Sequence, residues 1–197
     1  MSTREDWLMQ ASKLIETQIL NLQGASMPEK YDIGVGFPSV TKAIGQAWSK
    51  DASVDENTYH ILIAPTLGNK DIINMLQVLL HEMIHCSVGI DQKHGGEFKR
   101  VARAVGLEGR LTATYVSEGS DLYNQLKSVS EQVGWEYPHQ EIVLKPKETK
   151  PRAKNFVQLV SPNNPEYIVK MKKDVYEAMG APVDPDGDEM EVMEDGD

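Results

Sequence analysis

The stretch DIINMLQVLLHEMIHCSV, Asp71 to Val88, constrains this chain more than any other. It is long and apolar enough for a helix that packs into a core, yet it carries two histidines and a glutamate. At 100° per residue, Ile72, Leu76, Leu79 and Met83 centre on one side. His81 and His85 fall nearly opposite, beside Asn74, Gln77 and Val78. Their spacing therefore marks them as something other than core histidines, and leaves a solvated face as the plain alternative.

Histidines four apart on a helix lie on one face, roughly 5–6 Å apart, close enough for both imidazoles to bind one zinc at about 2.0–2.1 Å. Glu82 stands one step round the helix, where a carboxylate can take a proton from a water activated at the metal. This His81-Glu82-Met83-Ile84-His85 arrangement is that of a zinc-dependent hydrolase. A catalytic zinc usually has three protein ligands and an open fourth position, so a third ligand is needed. The metzincin spacing fails, because it requires glycine and histidine where this chain has Val88 and Asp91. His94 lies nine residues beyond His85, before two glycines, and nine residues can span about 30 Å. An exposed loop histidine is the plain alternative for His94, and Glu97, Glu108 and Glu118 are its carboxylate rivals.

Around this segment the chain reads as alternating short elements. Ser2 and Glu5 have capping-box spacing, and Trp7, Leu8, Ala11, Leu14, Ile15 and Leu22 recur at helical intervals up to Gly24. From Tyr31 to Ala64, the runs DIGVGF, AIGQAW and TYHILIAP predict a small, mostly antiparallel sheet. After His94 a second helix carries Phe98, Val101, Ala102 and Val105 on one stripe, and another runs from Glu118 to Val133. A Lys/Pro-rich linker follows, then two short strands around a turn, a short helix and an acidic end expected to be disordered.

The segment HEMIHCSVGIDQKHGGEFKRVARAVGL resembles the active-site region of the SprT-like zinc metalloproteases, which include Spartan-type proteases of DNA-protein crosslinks. The shared pattern is HExxH, a short loop, then histidine, glycine, an aromatic residue and an amphipathic helix ending near Gly-Leu. The YHILIAP run and Tyr137 to His139 also resemble small members, phage-borne ones among them. The resemblance covers roughly residues 8–139. It implies His81, His85 and His94 as zinc ligands and Glu82 as general base. His139 and Tyr115 are candidates to stabilise a developing oxyanion. The strand from Tyr59 to Ala64 is the expected sheet edge, where an extended peptide can add by main-chain hydrogen bonds. His60 is expected on an exposed face, and Cys86 as a buried small side chain.

Many members carry a C-terminal zinc ribbon. Here Ser161 and Asn164 stand where its first cysteines would be, and Asp184 near the second pair. This is either a ribbon-like module that has lost its metal or a chance similarity. The resulting organisation is an α+β, zincin-like domain over 1–144, a basic linker over 145–155, a metal-free ribbon-like module over 156–190 and an acidic tail over 191–197.

The expected activity is zinc-dependent hydrolysis of peptide bonds in a protein substrate, DNA-associated protein included. The alternatives are a catalytically idle adaptor on the same scaffold and a zinc hydrolase of a non-peptide amide. The net charge of −10 says little about nucleic acid, because eight acidic residues crowd Asp184 to Asp197 and only −2 remains for the rest. The segment KPKETKPRAK, Lys145 to Lys154, is locally basic and is the expected contact for any nucleic acid. No apolar run approaches the ~20 residues that span a bilayer, so no membrane partner is expected. One cysteine and no basic-then-apolar start point to the cytoplasm, that of a host cell if the gene is phage-borne.

Overall fold

The computed structural model describes residues 3–40, 42–144 and 155–193. It divides into two compact units, Met1–Leu144 and Lys145–Asp197. The basic stretch Lys145 to Lys154 and the last four positions, Glu194 to Asp197, lie outside the described residues.

Helix α1, Arg4–Ile15, opens the first unit. Its capping box is built one residue later than the Ser2/Glu5 spacing predicts. The Thr3 hydroxyl accepts from the Asp6 amide at 3.0 Å, and the Asp6 carboxylate accepts from the Thr3 amide at 2.8 Å. Glu5 pairs instead with Arg4. Trp7, Leu8, Ala11 and Ile15 turn inward, as their spacing requires. The helix then widens into a π turn over Glu16–Leu20. A wider turn shifts the helical phase, so Ile19 and Leu20 are buried while Leu22, expected on the apolar stripe, is 70% exposed.

Three strands follow: β1 (Tyr31–Val35), β2 (Gly45–Trp48) and β3 (Tyr59–Ile63). Their order is β1-β3-β2, with β3 parallel to β1 and antiparallel to β2. Two expectations are thereby corrected. The sheet is evenly mixed rather than mostly antiparallel, and the Tyr59 strand is central rather than an edge. The apolar run of β3 explains its place, since Ile61 and Ile63 are wholly buried, whereas the short, glycine-containing β2 stands outside. His60 lies on the other face of β3, half-buried, with Nδ1 2.7 Å from Asp32 Oδ1.

Helix α2, Ile72–Val88, is the axis of this unit. Asp71 caps it by accepting from the Asn74 amide, and Gly89, at φ 95°, ends it. It packs on β2 and β3, on α1, on α3 (Gly96–Ala104) and on α4 (Asp121–Gln132). It is therefore buried nearly all round, Gln77 and Val78 included. The face opposite the core is roofed rather than solvated. Part of that roof is a hairpin of β4 (Glu108–Arg110) and β5 (Ala113–Tyr115), tied to α3 by Arg103, which donates to the Leu107 and Gly109 carbonyls. Among the described residues no helix is long and apolar enough to cross a membrane.

The second unit is a three-stranded sheet in the order β7-β6-β8, from β6 (Phe156–Val160), β7 (Ile168–Lys172) and β8 (Glu191–Val192), with α5 (Lys173–Met179) after β7. The two strands and short helix fall where the sequence predicts them. Residues 191–192, expected in a disordered tail, instead pair with β6, and neighbouring Met190 is buried. Two turns meet in the interior. Ser161 Oγ accepts the Asn163 and Asn164 amides, and Asp184 Oδ1 accepts those of Asp186 and Asp188. Between them the Ser161 hydroxyl donates to Asp184 Oδ2 at 2.6 Å, both residues being buried. Removing that donor leaves a buried carboxylate oxygen unpartnered. Ser161→Ala is thus expected to speed hydrogen exchange of the β6 and β7 amides by about tenfold or more. Chelator treatment is expected to leave that exchange unchanged in the wild-type chain, both read by mass spectrometry.

Candidate metal centre

His81 and His85 project from consecutive turns of α2, partly buried. The loop after α2 returns to them. A 3₁₀ turn over Ile90–Gln92 leads into a tight turn closed by Gly95 N–H donating to Gln92 O at 2.7 Å. Lys93 sits inside this turn at φ 47°, ψ −123°, a conformation that favours glycine. A Cβ on Gly95 would meet the Gln92 carbonyl at 2.8 Å, so the turn needs glycine there. Its effect is to aim His94 at the two helical histidines.

The ligand atoms of His81, His85 and His94 all lie within 4.8 Å of one another. His81 Nε2 and His94 Nε2 are 3.3 Å apart. Two nitrogens about 2.05 Å from one tetrahedral ion would be separated by about 3.3 Å, so this pair already spans one edge of such a site. The fully buried Phe98 of α3 backs all three rings, with centroid distances of 4.9 Å to His81, 4.3 Å to His85 and 4.9 Å to His94. The same residue that the sequence places on an apolar helix stripe is the floor of the cluster. No carboxylate joins this group among the described residues. Glu97 is exposed and pairs with Arg100, and Glu118 is exposed beyond the hairpin.

Desolvation pushes the His81 imidazole down to about 3, with the positive charge that His85 and His94 would carry adding to the effect. His85 is pushed down to about 4 by burial and by His94, and His94 itself is lowered by burial. All three are neutral at pH 7, the form that ligates metal. Cys86 is buried as expected, its thiol pushed up to about 12 by burial first and by Glu82 second.

Glu82 is 7% exposed. Burial pushes its carboxyl up to about 8, against the weaker pull of the Ala47 backbone N–H. Its side chain lies directly beneath β2, where a Cβ on Gly45 would come within 2.6 Å of Glu82 Oε1. Gly45 is thus the gap into which the carboxylate fits. The backbone phase of β2 completes the picture. Ala64 N–H donates to Ile44 O, so Ile44, Gln46 and Trp48 bond to β3, while the polar groups of Gly45 and Ala47 face the free edge.

The two oxyanion candidates are placed elsewhere. His139 is half-buried, with Nε2 3.4 Å from Arg4 Nη1, and its carbonyl accepts from the Asn69 amide ahead of α2. From Ile72 at that end of the helix to His81 is roughly 13 Å along the axis. Tyr115 is 52% exposed, its ring lying over Gly109. Side chains alternate along a strand, and it is the preceding residue, Thr114, that faces the cluster, with Oγ1 3.0 Å from His81 Nδ1. Thr114 is absent from the sequence reading. The only signal for it is the β-branched and aromatic run ATYV, too short to show alternation.

With this geometry in view, the comparison with known proteins is specific. The SprT-like family model matches residues 13–117, more than half of the chain, and the chain belongs to that family. No curated protein and no solved structure matches it. The matched span runs from α1 to β5 and contains every residue of the histidine cluster, Glu82 and Thr114.

The ionisation of Glu82 has a measurable consequence in the metal-free protein. Its carboxyl is raised in the folded state from an ordinary value of 4.5 to about 8, so the unfolded chain releases its proton first as pH rises. Folding is disfavoured progressively from about pH 4.5 to 8 and by a constant amount above. Glu82→Gln is therefore expected to raise the melting temperature of the metal-free protein, by an increment that grows from pH 5 to pH 8 and then levels off, followed by circular dichroism.

Proposed function

We propose that this chain is a zinc metallopeptidase that cleaves a protein substrate held in extended conformation. The convergence of three neutral imidazoles beside a buried glutamate carries this reading. Imidazole donors without a carboxylate suit zinc better than magnesium or calcium, and three of them leave the fourth position open. His81, His85 and His94 would hold the ion. Bound there, zinc supplies Lewis acidity for a carbonyl oxygen and lowers the pKa of water.

Glu82 is the proton carrier. Burial holds the carboxyl protonated in the metal-free chain, and a cation held by the histidines would favour its carboxylate, the form that can take a proton from an attacking water and pass it to the leaving amine. The β2 edge supplies the substrate track. The Gly45 N–H and C=O and the Ala47 C=O face away from β3, while the Ala47 N–H is turned to Glu82, so a peptide strand added there would lie beside the buried carboxyl. This moves the docking edge from the Tyr59 strand, where the sequence puts it, to β2. The C-terminal unit, on the same reading, is a ribbon-like module whose two turns are joined by the Ser161–Asp184 hydrogen bond instead of a metal.

The test is digestion of an unfolded protein by the zinc-loaded chain. Glu82→Gln is expected to lose about 10²–10⁴ in kcat while still binding zinc. Gly45→Ala, which crowds the carboxylate without touching the histidines, is expected to lower kcat with zinc content unchanged. Full activity in Glu82→Gln would refute the assignment. Turnover of small amides with no cleavage of unfolded protein would make the chain an amide hydrolase of another kind.

A further inference from the structure

His81 has two ring nitrogens, and only one of them faces the other histidines. Nε2 lies toward His94, and Nδ1 lies 3.0 Å from Thr114 Oγ1 on β5. Behind Thr114 stands Gln77, one turn before His81 on the same helix and 6% exposed. Its Oε1 is 3.5 Å from Thr114 Oγ1, and its Nε2 donates to Asn74 Oδ1 at 3.0 Å. The hydrogen bonds run in one direction. Asn74 Oδ1 accepts from the Gln77 amide nitrogen, which leaves Gln77 Oε1 as the acceptor facing Thr114. The Thr114 proton goes to that oxygen, so its lone pairs are free to accept from His81 Nδ1–H.

We infer that Thr114, oriented by Gln77, is a positioning residue that fixes His81 as the tautomer with its proton on Nδ1 and its lone pair on Nε2, aimed into the metal site. The inference rests on the metallopeptidase reading for the identity of the ion, but the tautomer itself is a property of the chain. A histidine side chain in water favours the proton on Nε2, so without a partner at Nδ1 the ring would spend much of its time with no lone pair toward the cluster. The hydroxyl also holds the ring plane against rotation about its side-chain bonds. Both effects belong to the outer shell of a metal site, where removing a partner commonly weakens metal binding by about 10–100-fold.

The placement explains the hairpin. Strands β4 and β5 are only three residues each, and Arg103 and the buried Leu107 tie them to α3. Among the described residues, Thr114 supplies their polar contact with the histidine cluster. Gln77 would otherwise be a buried amide without partners, which is costly. Asn74 and Thr114 give it two.

The experiment compares wild type, Thr114→Val and Thr114→Ser for zinc affinity, by competition with a chromogenic chelator. The His81 tautomer is read from side-chain ¹⁵N shifts of the metal-free proteins. Valine keeps the shape and removes the hydroxyl, and serine restores it. The expected result is a 10–100-fold weaker zinc dissociation constant for Thr114→Val, a value within about threefold of wild type for Thr114→Ser, and the Nδ1–H tautomer in wild type and the serine variant only. Equal zinc affinity in the valine variant, or an Nε2–H tautomer of His81 in the wild-type protein, would overturn the inference. The wild-type spectrum decides the point even if the valine variant fails to fold. A wild type that binds no zinc yet shows the Nδ1–H tautomer would refute the metallopeptidase reading while leaving the role of Thr114 intact.

Discussion

Imidazoles whose lone pairs converge in a partly desolvated cleft repel one another, and burial denies them the protons that would relieve the repulsion elsewhere. Much of the first unit can be understood as what holds His81, His85 and His94 in that position. Helix α2 fixes the first two by its own periodicity, and its rigidity comes from being packed nearly all round. Phe98 fills the space beneath the rings, so none can turn inward. His94 is delivered by a turn in which Lys93 adopts a backbone conformation that costs on the order of 1–3 kcal/mol for a residue with a Cβ. A cation at the centre would convert the repulsion into attraction and offset that strain.

The adjoining helix face ties α2 to the sheet. Glu82, between the two helical histidines in sequence, lies under β2, and β2 accommodates it only because Gly45 has no side chain. An edge strand is usually a liability that proteins cover or charge. Here the outward polar groups of Gly45 and the Ala47 carbonyl lie beside Glu82, the buried carboxyl of this unit among the described residues. Sheet order and site chemistry are therefore one feature.

The parts legible in the sequence were those governed by local periodicity. The bounds of α2, the buried Cys86, the Phe98 stripe and the strand–strand–helix order of the second unit all follow from spacing and turn residues. His94 needed more than spacing, because a loop of nine residues can reach in any direction, and its place among candidates came from the family pattern around it. What escaped was non-local. Which of three strands is central depends on all of them together, and no local pattern in Tyr59 to Ala64 tells a central strand from an edge. A π turn in α1 moved Leu22 out of the core without any Pro or Gly to announce it. The hairpin that carries Thr114 is three residues per strand, below the length at which alternation can be read.

The most direct measurement is zinc stoichiometry by elemental analysis after dialysis against a weak chelator, wild type beside His94→Ala. About one zinc per wild-type chain and much less in the variant is expected if three histidines close one site. No zinc in the wild type, or the same amount in both proteins, would contradict the three-histidine centre on which the rest of this structure depends.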